Sequence, residues 1–307
     1  LIPAIILNLG NSKTFLQARQ ALKSFDENVV LEHFTNILSS SDLSRNVRRG
    51  IVKALKDYSD VNLLLDQLDE ADQGMYNETV DSLLVCARAE SFDENRLEVI
   101  SGEIHKIARK LYAFNVCKKL LPENNKQLLM VDHLNNEIQN TLPSLLKLGV
   151  MSKPNTPIET YIQIIKTGDP AKLPFLLEFF ENIFNKEQRS IINPLIEEIS
   201  LEEKTEIGKT HFKDLPNNIN EELITLLHSA NKWESIITLD FMIQSQMKEL
   251  LSSLDWNKIP NSSGNCELVQ RLSKKDALNI ENIPLERFKL ETVELNMYST
   301  LEKTIIL

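Results

Sequence analysis

Three arginines, Arg45, Arg48 and Arg49, gather at the start of the segment Ser44–Leu55, and they are the side chains in this chain best placed by type and spacing to bind something. A guanidinium is a planar fork of donors that matches phosphate or carboxylate oxygens two at a time, so the cluster suits either lipid headgroups or acidic side chains. The same segment carries Val47, Ile51, Val52 and Leu55 at i, i+4, i+5 and i+8, which makes one apolar face of a helix. The structural use we expect is an arginine of this helix paired with an acidic turn residue nearby, Asp42 or Asp60. Capture of an anionic surface is the functional alternative.

The other reactive residue types offer less. His33, His105, His133, His211 and His228 share no H-x-x-x-H spacing that would put two ligands on one helical face, and no metal site is expected. Cys86, Cys117 and Cys266 are far apart and odd in number, and they read as reduced thiols rather than a disulfide framework. Glu197, Glu198, Glu202, Glu203 and Glu206 form an acidic cluster without the spacing of a calcium loop; Glu202 and Glu203 suit the first turn of a helix, where the dipole favours negative charge. No G-x-S-x-G, H-E-x-x-H or Walker sequence occurs, and Cys117 precedes Lys118 and Lys119 without an evident base. We therefore expect no catalytic residue, no cofactor and no enzyme.

Composition narrows the scaffold that must position these residues. Across 307 residues there are only 8 glycines and 6% aromatics beside 42% hydrophobic residues, which is too few turn formers for a sheet protein. The fold class is expected to be all-α. The formal charge of -10 sits mainly after Asp60: residues 1–60 hold 8 basic against 6 acidic side chains, residues 61–150 hold 9 against 14, and residues 151–307 hold 17 against 24. Nucleic-acid binding needs a basic stripe longer than the arginine helix, so no nucleic-acid partner is expected. No apolar run reaches the roughly 18 residues of a membrane span, and Leu1–Leu9 lacks the basic leader of a signal peptide. The chain opens on Leu1 and stops at Ile305-Ile306-Leu307, and it reads as a piece of a longer polypeptide.

Helical periodicity recurs along the chain. Ile2, Ile5, Ile6 and Leu9 form an apolar stripe closed by Gly10-Asn11-Ser12; Ala18, Ala21, Leu22 and Phe25 form the next, and Val29, Val30, Phe34, Ile37 and Leu38 another. Leu64, Leu65 and Leu68 pair with the arginine helix, and Val80, Leu83, Leu84 and Ala87 face inward from 78–89. Ala18 to Val47 spans 29 residues, a compact period for a helical repeat. Two longer helices follow, 95–121 and 124–148, the second with Pro143 inside it. Met151–Thr156 is the expected boundary between an N-terminal domain, 1–150, and a C-terminal one, 151–307. Thr156-Pro157-Ile158-Glu159 reads as a capping box, and 173–184 is so apolar that cover on more than one side is expected. Asn231 with Glu234 opens a later helix, 252–264 is the most loop-like stretch, and 301–307 starts an amphipathic segment. The arrangement expected is an α-solenoid of antiparallel helix pairs, with Leu55, Leu65, Leu84, Phe180 and Leu226 buried.

Ala18-Arg19-Gln20-Ala21-Leu22 with Phe25, and Val47-Arg48-Arg49 with Ala54-Leu55, resemble the HEAT-repeat (armadillo-like) soluble segment of bacterial ATP/ADP translocase-like nucleotide transporters of the major facilitator type. Pro174 to Ile183, Asn231-Lys232-Trp233 and Ser299 to Leu307 are similar to later parts of that segment, the last to its lead-in to a cyclic-nucleotide-binding domain. Phe180-Glu181-Asn182 departs from the family's Leu-Asp-Asn. The resemblance implies a non-catalytic scaffold or regulatory domain on the cytoplasmic face of the inner membrane. Its partners would be the adjoining transporter domain and the cyclic-nucleotide domain of the same polypeptide. The alternatives are an independent HEAT-like adaptor that binds a protein partner, and a HEAT-fold enzyme, which would need a basic or aromatic groove.

Overall fold

A computed structural model describes residues 1–39, 44–69, 73–122, 127–167, 170–229, 231–259 and 268–269. The described residues form fifteen α-helices and three short 3-10 turns, with no strand among them. The helices are α1 (Ile2–Leu7), α2 (Phe15–Leu22), α3 (Glu27–Leu38), α4 (Arg45–Leu55), α5 (Val61–Leu65), α6 (Gln73–Ala89), α7 (Glu94–Leu120) and α8 (Leu128–Gly149). They continue with α9 (Ile158–Thr167), α10 (Leu173–Ile183), α11 (Lys186–Ile196), α12 (Leu201–His211), α13 (Ile219–Leu227), α14 (Lys232–Gln244) and α15 (Lys248–Ser253). None of them is long and apolar enough to cross a membrane. The amphipathic segment expected at 301–307, the end of the 252–264 loop and Cys266 lie outside the described residues.

Two compact units divide the chain: Leu1–Leu111 with Gln139–Ser200, and Tyr112–Ile138 with Leu201–Leu307. Each of the long helices α7 and α8 contributes residues to both, and Met151–Thr156 falls inside the first unit.

In the first unit α4 packs on α6 and on the 3-10 turn Asn8–Gly10 that follows α1. Two glycines make that crossing. A Cβ on Gly50 would lie 2.3 Å from the carbonyl oxygen of Leu9, and one on Gly10 would lie 2.7 Å from Cγ2 of Val47 and 2.9 Å from its backbone nitrogen. The backbones therefore meet where any larger residue would force them apart. Below the crossing, Val47, Ile51, Val52 and Leu55 are all buried, with Ile6, Leu22, Val30 and Phe34. The side chain of Asp26 starts α3 by accepting from the amides of Asn28 and Val29, and Asp60 starts α5 by accepting from Leu63 at 3.0 Å.

Three expectations about facing residues need correction. Val29 is 42% exposed, because α3 turns Val30, Phe34 and Leu38 to the core and Val29 falls to one side of that stripe. Leu65 is half-buried: α5 is a single short turn of helix that presents Val61 and Leu64, and Leu68 completes the face. Helix α10 is covered on one side only, with Leu176 and Phe180 buried while Phe175 stands 69% exposed. Leu55, Leu84, Phe180 and Leu226 are buried as expected.

The rest of the first unit is joined by its own capping and stacking. Helix α9 begins at Ile158, one residue after Pro157. Asn185 caps α11 through a reciprocal box with Gln188, whose side chain returns to the amide of Asn185. The ring of Tyr161 lies flat on that of Phe179 at 3.4 Å between centroids, joining α9 to α10. Phe184 fills the space beside Gly149, where a Cβ would sit 2.6 Å from its ring.

In the second unit the described core collects Tyr112, Phe114, Cys117, Leu134, Leu223, Leu227, Leu239, Met242 and Leu251. Helix α12 meets Tyr112 at Gly208, where a Cβ would lie 2.5 Å from the phenol ring. Asn218 and Asn231 cap α13 and α14, which pack on each other.

Candidate functional site: the arginine helix and its carboxylate

Helix α4 hides its apolar face, so its charged residues must lie along the opposite side. Arg45 and Arg49 are exposed and Arg48 is half-buried. Nε of Arg49 approaches Oε2 of Glu78 to 3.6 Å, and Nζ of Lys53 lies 3.4 Å from the same oxygen and 5.7 Å above the ring of Phe15. Glu78 stands on α6 and is only 9% exposed. Among the described residues a carboxylate that meets the arginine helix is Glu78, a residue of α6 and not a turn residue, while the Asp60 side chain is taken up as the N-cap of α5. Asp42 lies outside the described residues. Because Arg49 and Lys53 keep about half their side chains in water, each pair contributes no more than about 1 kcal/mol. Their larger effect is to compensate a carboxylate that would otherwise be buried without a counter-charge.

A tighter pair stands one element away. The guanidinium of Arg19 on α2 forks onto both oxygens of Asp57, the second residue after α4, and Lys23 adds its ammonium at 3.4 Å. Burial disfavours the Asp57 carboxylate, but the Arg19 hydrogen bonds and the charges of Arg19 and Lys23 outweigh it and hold the group below its ordinary value. The hydrogen bond to Asp57 likewise raises Arg19. Arg88 repeats the device at the far end of α6, with Nη2 at 2.9 and 3.0 Å from the two oxygens of Glu159 and Nε at 2.9 Å from the carbonyl of Pro154. Lys147 of α8 bonds Asp81 of α6, and Ser144 donates to Asn77 at 2.8 Å. Sequence reasoning missed Asp57, Glu78 and Glu159 as partners. For Asp57 and Glu159 the available signal was an acidic residue within a turn of a helix end; Glu78, the sixth residue of α6, carried no such signal.

Cys86 and Cys117 are buried, and burial raises both thiols, which keeps them protonated and poor as nucleophiles. For Cys117 the charge of Glu222 adds to that rise. Tyr76 is raised by burial and by Glu103. Glu202 and Glu203 occupy the first turn of α12, and Glu206 reaches Lys119 at 3.7 Å. His105 faces Glu187 at 3.5 Å. No group of three His, Cys, Asp or Glu side chains among the described residues is arranged to hold a metal ion. Searches of known proteins find no family model, no curated protein and no solved structure that matches this chain.

Proposed function

We propose that this chain is a non-catalytic helical scaffold, an α-solenoid of HEAT-like helix pairs carried as the cytosolic domain of a membrane nucleotide transporter. The observation that carries the scaffold reading is the use made of the ion-pairing groups. Arg19, Arg49, Arg88 and Lys147 each bridge two separate elements of the fold, so these charges serve to hold helices together. The transporter attachment rests on the resemblance of residues 18–25, 47–55, 174–183 and 231–233 to that family's soluble segment. On this reading the protein works at the cytoplasmic face of the inner membrane, between the transporter domain and a cyclic-nucleotide-binding domain.

Tagging the native gene and fractionating the cells tests it. The scaffold reading expects a polypeptide larger than these 307 residues in the inner-membrane fraction. A tagged protein found wholly in the cytosol would remove the transporter part. A free adaptor is the second reading, and the exposed Phe175 on α10 favours it, since a large aromatic side chain left in water suits a protein contact. Crosslinking in cells separates the two by the identity of the captured neighbour.

A further inference from the structure

We draw no further inference here: the strongest candidate, the outer face of α10 where Phe175 stands exposed one turn before Phe179, carries nothing because nothing in the structure shows what covers it.

Discussion

Helices α4 and α14 are both central to their units, and they are buried in different ways. Helix α4 is one-sided: Val47, Gly50, Ile51, Val52, Ala54 and Leu55 face inward while Arg45 and Arg49 remain in water. Between Trp233 and Gln244, by contrast, α14 exposes no residue, and it buries Glu234, Ser235 and Thr238 along with Ile236, Leu239, Phe241 and Met242. A one-sided helix is held by its apolar stripe and trimmed by ion pairs at its edge. An enclosed helix must take polar side chains inside, and its stability then depends on which of them find partners.

The largest effects should come from the apolar stripe of α4. Leu55→Ala removes a side chain with no exposure, and urea denaturation should show a loss of about 2–5 kcal/mol. Leu65→Ala, at a half-buried position, should lose only about 1 kcal/mol. Equal losses would mean that α5 presents a different face from the one described.

Glycines give the next contrast, because the same substitution should act with opposite sign at two helical sites. Gly50→Ala must push α4 away from the backbone of Leu9 and should cost about 1–3 kcal/mol despite the gain in helix propensity. Gly102→Ala on α7 meets nothing within 4 Å and should stabilise by about 0.5–1 kcal/mol. Paired thermal melts check both signs.

A smaller effect separates a satisfied hydroxyl from an unsatisfied one. Ser82 on α6 donates to the carbonyl of Val52 at 3.1 Å, so Ser82→Ala should lose about 1 kcal/mol. On α14 the hydroxyl of Thr238 is fully buried without a hydrogen bond, and the nearly isosteric Thr238→Val should be neutral or stabilising by up to about 1 kcal/mol. Loss of stability in Thr238→Val would contradict the account of the enclosed helix.

These contrasts also mark how far the sequence could be read. The face of α4 was legible because four apolar residues at helical spacing admit one orientation. Helix α14 had a readable start at Asn231 but no readable face, since Glu234, Ser235 and Thr238 look like surface residues until neighbours enclose them. Gly50 hid its role for a similar reason: a glycine within a helix signals either a weak helix or a close approach, and only the turn at Leu9 decides between them. Short helices were the least legible. In α5 the expected face of Leu64, Leu65 and Leu68 narrows to Leu64 and Leu68, with Leu65 half-buried at its edge. The charge cluster itself was found, but its partner was not, because Glu78 lies 29 residues beyond Arg49 and is brought close only by the packing of α6 on α4.

The claim that these charges tie the fold together is tested most directly at Arg19 and Asp57. Because the folded carboxylate is held below its ordinary value, its contribution should be complete above the unfolded pKa and lost as pH falls through the folded value, below the usual carboxylate range near 3.8. A double-mutant cycle with Arg19→Ala and Asp57→Ala, followed by urea denaturation at neutral pH, measures the pair itself. The account predicts a coupling of about 1–3 kcal/mol that shrinks as pH approaches the folded value of Asp57. Additive losses at neutral pH, with no coupling, would contradict it.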